Sequence, residues 1–197
     1  MISGGFRATY EELVPEFERK TGHTIVTTYG ASTGNTPSAI PNRLQRGESA
    51  DVVILAGSAL DELVMRHEVV PGTQVDLARS IIAMAVRAGA QKPDTSTLQG
   101  LKRTLLDARS IAYSDSVSGI YLSTELFQRL GIADAIRSKC IRVDVGMFGT
   151  VIARGDAEIG FQQPSELLPI AGIDFVGPIP SEAQKITLFS GGVTVNA

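Results

Sequence analysis

Three stretches of the chain combine small hydroxyl residues with glycine just ahead of a helical pattern: Ser3-Gly4-Gly5, Gly30-Ala31-Ser32-Thr33-Gly34-Asn35 and Ser114-Asp115-Ser116-Val117-Ser118-Gly119. Turns of this composition suit the holding of an anion by neutral donors. They direct backbone N–H groups and the positive end of a helix dipole toward one point, and glycine lets the backbone approach closely. No Lys or Arg is needed for such a site, although Arg7, near the first helix start, has the planar fork that matches a carboxylate. Gln162 and Gln163 add donors and acceptors beyond another strand-like run, and the alternation of a strand leaves at most one of them facing a ligand.

Enzyme signatures are sparse. His23 and His67 stand at element ends without a nearby serine or cysteine motif, and no GxSxG, HExxH, P-loop or complete GxGxxG pattern occurs. Glu11, Glu12, Glu16 and Glu18 read as the wet face of one helix. No residue cluster suggests a metal or a cofactor, and the single cysteine, Cys140, rules out an internal disulfide and reads as a small buried hydrophobe.

The elements that must position these loops follow from periodicity. Tyr10, Leu13, Val14 and Phe17 recur at helical spacing within a helix expected over residues 6–21, with Gly22 as its stop and Pro15 as a bend. A strand over residues 24–29, a poor helix over 37–46 broken by Pro41, a buried strand over 51–55 and a helix over 58–67 capped by Ser58 continue the order. Further strands are expected over 80–87, 110–114, 141–145, 158–162, 175–179 and 186–195. Helices are expected over 96–106, 118–130, 133–139, 147–154 and 165–170. Alternation of this kind implies an α/β fold with a parallel sheet layered by helices. The first strand is nearly absent, which predicts a sheet edge in need of cover.

At 197 residues, 43% of them hydrophobic and 20% charged, the chain can bury a substantial core. Its net charge of −3 and the lack of a Lys/Arg run argue against nucleic acid as a partner. No apolar run approaches bilayer length, and Met1-Ile2-Ser3-Gly4-Gly5 has neither the charged nor the apolar region of an export signal.

These residues resemble the periplasmic molybdate-binding protein family of ABC transporters, within the type II solute-binding fold. The resemblance runs through the helix ending Phe17-Glu18-Arg19-Lys20-Thr21-Gly22, the loop Gly30-Ala31-Ser32-Thr33, the run Gly47-Glu48-Ser49-Ala50-Asp51-Val52-Val53-Ile54, the segment Ser118-Gly119-Ile120-Tyr121 and Ala157-Glu158-Ile159-Gly160-Phe161. It implies a two-lobed α/β protein with a ligand cleft between lobes, residues 1–80 plus 183–197 forming the first lobe and residues 81–182 the second. It also implies a monomeric periplasmic receptor that hands a small anion, a molybdate-like oxyanion or a carboxylate, to an ABC permease. The ligand contacts it implies fall at Gly5, Ser32, Ser118, Val145 and Gln163. Thr33 joins them from the residue reading, with Arg7 and Asn35 as further contacts. Glycine at position 5 and glutamine at 163 stand where the family usually has serine and tyrosine, and the loop from Ser32 to Pro41 is longer, which points to a different or larger anion such as an organic acid. The rival on the same scaffold is an enzyme that isomerises a small unsaturated carboxylic acid such as aconitate, with Ser118, Tyr121 or Asp115 carrying the proton. A ligand-sensing domain of a transcription regulator shares the fold, but no helix-turn-helix is legible in these residues.

Overall fold

The computed structural model describes residues 1–197, the side chain of Val145 excepted. In chain order, β1 (Ile2–Ser3) leads into α1 (Gly4–Thr21), followed by β2 (Tyr29–Gly30), α2 (Ile40–Gln45), β3 (Val52–Ala56), α3 (Gly57–Met65) and β4 (Val75–Ser80). Then come β5 (Ala83–Arg87), α4 (Leu98–Asp107), β6 (Ile111–Ser114) and α5 (Val117–Tyr121), which continues through a π-helical stretch (Leu122–Leu126) into α6 (Phe127–Arg129). α7 (Ala133–Ile136), β7 (Cys140–Val143), α8 (Phe148–Arg154), β8 (Ile159–Gln162), α9 (Pro164–Leu167) and β9 (Ile173–Pro178) precede the last strand, β10 (Thr187–Val193).

The chain divides into two compact units, residues 1–80 with 187–197 and residues 81–186. Unit 1 holds a five-stranded sheet in the order β2-β1-β3-β10-β4, and unit 2 another in the order β7-β6-β8-β5-β9. Both are mixed, not parallel. β1 runs parallel to β2 and β3, and β6 parallel to β7 and β8, but β10 is antiparallel to β3 and β4, and β5 antiparallel to β8 and β9. The reversed strands are those that follow each passage of the chain from one unit to the other. Parallel neighbours need a crossover connection within one sheet, and β4–β5 and β9–β10 have none.

Local differences have local causes. Pro41 does not break α2; it lies in the helix's first turn, where its missing N–H has no partner to lose. The helix expected to start at Ser58 begins at Gly57 with Ala56 as its N-cap. Residues 23–28 stay outside regular structure, so β2 shrinks to two residues. β1 is as short as foreseen but is internal, flanked by β2 and β3, so the edges fall at β2 and β4. β4 itself, an exposed strand after Pro71-Gly72, was not foreseen; its partner β10 lies over a hundred residues away in sequence, beyond the reach of local pattern. α1 ends as expected on Gly22, which takes the left-handed conformation with φ 74°, yet Leu13 and Phe17 of its stripe remain exposed.

In unit 2, Met84, Leu101, Leu105, Ile111, Leu122 and Phe161 belong to one buried cluster, and Ala83, Ala112, Phe148, Ile152 and Leu167 to a second. The strands between them read as continuous apolar runs because neither sheet face meets water. That core fixes the ends of β6 and β8, from which the hydroxyl and glutamine residues project.

Candidate functional site

β6 and β8 run parallel with Tyr113 opposite Phe161, so Ser114 and Gln162 end neighbouring strands at one sheet edge. Beyond β6 the chain turns through Asp115, whose N–H donates to the Val143 carbonyl at 3.0 Å, and enters α5 with Ser116 as N-cap. A relay of side chains follows. Ser114 and Ser116 Oγ atoms lie 2.7 Å apart, and Ser116 and Ser118 Oγ atoms 3.0 Å apart. The Ser118 hydroxyl donates to Gln162 Oε1 at 3.1 Å, with a longer donation from Ser116 at 3.5 Å.

The backbone N–H of Gln163 also donates to Gln162 Oε1, at 3.3 Å. Because an N–H can only donate, this contact fixes which amide atom of Gln162 faces the serines. Its Nε2 is left buried, with no hydrogen-bond partner among the described residues. A buried donor in that condition costs about 1–3 kcal/mol until an acceptor arrives. Ser114, Ser118, Gln162 and Gln163 are all buried. Both glutamines are buried because the strand stops at Gln162 and Gln163 is the N-cap of α9, so strand alternation does not govern the pair.

Unit 1 has its own donors. Ser3 Oγ, at the N-cap of α1, and Thr33 Oγ1 are buried without a hydrogen-bond partner among the described residues. Ser32 Oγ accepts the N–H of Ala56 at 2.9 Å, which ties the loop after β2 to the end of β3 and leaves its own hydroxyl proton to donate elsewhere. Gly5 lies within the first turn of α1 rather than before it. Asn35 is exposed, and Arg7 is engaged at the surface: its Nε donates to Glu11 at 2.8 Å and its guanidinium lies 4.3 Å from the Tyr29 ring centre. Tyr29 and Arg7 together hold the Glu11 carboxyl below its ordinary range. Val145, the remaining expected contact, lies outside the described side chains.

The three candidates for carrying a proton differ. Ser118 belongs to the relay. Asp115 is partly buried at its turn. Tyr121 is committed elsewhere: its hydroxyl donates to the Ala183 carbonyl at 2.9 Å and accepts from Arg129 at 3.1 Å. His23 and His67 are exposed. Sequence reasoning passed over Glu166, in the first turn of α9. Burial alone pushes its carboxyl up to about 7. No motif marks it; the signal was its place just after the glutamine pair. Among the described residues no group of three or more His, Cys, Asp or Glu side chains stands close enough to hold a metal.

Two mixed α/β units, with neutral donors collected at strand ends, are the architecture of a solute-binding protein. The whole chain, residues 1–197, matches the profile of the bacterial extracellular solute-binding proteins, and the protein belongs to that family. It is 50% identical over 193 residues to "Aconitate isomerase" of Pseudomonas sp., covering 98% of this chain and 74% of that protein. It is 23% identical over 170 residues to molybdate-binding protein ModA of Azotobacter vinelandii, covering 84% of this chain and 64% of that one, less than two thirds of its length. The solved periplasmic molybdate-binding protein of Azotobacter vinelandii superposes with a TM-score of 0.72 at 21% identity, over 98% of this chain and 84% of that one. The resemblance to molybdate-binding periplasmic proteins thus holds for the fold. No described helix is long and apolar enough to cross a membrane.

Proposed function

We propose that this protein binds a small carboxylate anion of the aconitate class and interconverts its cis and trans isomers. The observation that carries the reading is the buried, partnerless Nε2 of Gln162 beside three linked serine hydroxyls. A site left with unpaired donors favours a ligand that brings acceptors, and a polycarboxylate brings several. The 50% identity to aconitate isomerase over nearly the full chain supports the choice among such anions.

The chemistry suits neutral donors. Geometry about a carbon–carbon double bond changes when a proton leaves the methylene carbon on one side, the electron pair spreads over the three-carbon allyl unit and its carboxylates, and a proton returns to the carbon at the far end. One C–H bond breaks, one forms, and the double bond moves. No oxidant or reductant is consumed. Charge that grows on carboxylate oxygens in between is stabilised by preorganised O–H and N–H groups. Ser118, Gln162 and Gln163 of unit 2 are the proposed contacts, with Ser3, Ser32, Thr33 and the positions Gly5, Arg7, Asn35 and Val145 as further ones.

A second reading, a periplasmic receptor that passes its anion to an ABC permease, draws support from the family and from the likeness to molybdate-binding proteins. One experiment separates them: incubation with cis-aconitate followed by proton NMR, beside a thermal-shift series of cis- and trans-aconitate, citrate, molybdate, tungstate, sulfate and phosphate. Multiple turnovers to trans-aconitate are expected. A raised Tm with aconitate and no conversion would favour the receptor, and a rise with molybdate alone would overturn the carboxylate reading altogether.

A further inference from the structure

We propose that unit 2 carries a second ligand site, for a small organic anion with an apolar body, in the cavity bounded by β5, α4 and the loops that lead into β6 and β8. The cavity measures about 580 Å³, a size that takes a small molecule. Buried Val86, Ala108, Ala157 and Ile159 give it an apolar floor, and arginines stand around it. It lies at the far edge of the sheet from the serine relay. β5 and β8 pair with Val86 opposite Ile159 and Ala83 opposite Gln162. Three residues of strand, roughly 10 Å, therefore separate the floor from Gln162.

The charges lining this cavity are unevenly spent. Glu158 is taken by Arg109, accepting its backbone N–H at 2.6 Å and its Nε–H at 3.2 Å. Asp94 accepts the Ser96 N–H at 2.9 Å, and the Thr104 hydroxyl donates to the Asp94 carbonyl at 3.2 Å, which fixes that loop against α4. The bonds from Ser96 foremost, with a lesser pull from Arg103, hold the Asp94 carboxyl below its ordinary range. Arg87 and Arg103 themselves have no hydrogen bond or ion pair among the described residues, and of the lining carboxylates only Asp107 is equally unbonded. Two open guanidiniums thus face one open carboxylate. Arg109 shows what such a group does when a carboxylate is in reach: it takes it. Arg87 is placed at the wall by Gly155, whose φ is 78° and where a Cβ would stand 3.5 Å from both Cδ and Nη1 of Arg87. Each guanidinium is a planar fork of N–H donors that matches a carboxylate or a phosphate. An anion with an apolar body fits the arrangement: its oxygens meet the forks while its hydrocarbon covers Val86 and Ile159.

The test is a titration of the ¹⁵N-labelled chain, followed by two-dimensional NMR of backbone amides and arginine Nε–H groups, and it needs no turnover. The probes are benzoate and phenyl phosphate, which share an apolar ring and differ in the charged group, with sulfate as an anion that has no apolar body. Trans-aconitate is present throughout, so that the relay is offered its own proposed ligand. Benzoate or phenyl phosphate should give saturable shifts at Arg87, Arg103 and Gly155 with a Kd below about 1 mM, and leave Ser116, Ser118 and Gln162 unmoved. Whichever of the two binds more tightly identifies the charged group the cavity prefers. Sulfate should bind at least about tenfold more weakly, because it covers none of the floor. Arg87→Gln and Arg103→Gln should each weaken the better probe about tenfold, and both side chains are exposed, so the fold is not at stake. Shifts that never saturate, sulfate that matches the ring-bearing probes, or an undiminished response in the double variant would each overturn the site. Shifts confined to Ser116, Ser118 and Gln162 would overturn it as well and leave the relay as the anion site of unit 2.

Discussion

The carbonyl oxygen of Ser114 lies so close to Gly119 that a Cβ on Gly119 would meet it at 1.7 Å. The turn that gathers Ser114, Ser116 and Ser118 is therefore closed by the absence of a side chain. The obstacle is backbone, which cannot rotate aside. Gly119→Ala should cost at least about 1–3 kcal/mol, lowering Tm by several degrees for a chain of this size, and should abolish the Tm rise given by aconitate because the serine relay is pushed apart. Differential scanning calorimetry with and without ligand reads both effects.

The same turn shows what a sequence discloses. Hydroxyl and glycine residues after a strand can be read directly, because their physical job is local: capping, close approach and donation. So could α1, from its stripe and Gly22. The antiparallel placement of β10 and the existence of β4 were hidden, since each depends on pairing with residues far along the chain. Gln162 was legible as a donor and acceptor, but its unpaired Nε2 and the burial of Glu166 were hidden for a different reason. The value of Gln162 lies in an acceptor that is missing around Nε2, and that of Glu166 in the protein crowded around its carboxyl; neither is a property of the residue type.

Gln162→Glu tests the partnerless donor with little change of shape. The Oε1 contacts to Ser118 and to the Gln163 N–H can persist, while Nε2 is replaced by an oxygen that carries charge at neutral pH. Affinity for an anion should fall about 100-fold, as expected when a donor to a charged group becomes a repelling acceptor. Isothermal titration with trans-aconitate measures it, and unchanged affinity would remove Gln162 from the site.

Tyr121→Phe separates a fastening role from proton transfer. Loss of the hydroxyl forfeits the 2.9 Å bond to Ala183 and one partner of Arg129. The expected cost is about 1 kcal/mol, a drop in Tm of about 2–4 °C. Turnover of cis-aconitate should stay within a few-fold of wild type at a temperature below both melting points. A thousandfold loss of kcat would instead return Tyr121 to the reacting centre.

Glu166 should also leave a mark on stability that is independent of any ligand. Its folded-state pKa, about 7, is raised above the ordinary value of 4.5. Below pH 4.5 the carboxyl is protonated in folded and unfolded chains alike, and its burial carries no ionic penalty. Between pH 4.5 and 7 the unfolded chain releases this proton while the folded one keeps it, so stability declines as pH rises, by up to about 1.4 kcal/mol per pH unit. Above pH 7 both forms are ionised and the decline stops, after a total of roughly 3 kcal/mol at most, since partial exposure screens the group. The carboxyls of Glu11, Glu48 and Glu158 are shifted the other way, so they stabilise above their unfolded pKa and lose that contribution as pH falls, outside this window. Urea unfolding of wild type and Glu166→Gln at half-unit steps from pH 4 to 8 should thus show a difference in ΔG that grows in favour of the variant up to pH 7 and then stays level. A constant difference across the range would mean that Glu166 is ionised throughout and is not held as an acid by its surroundings.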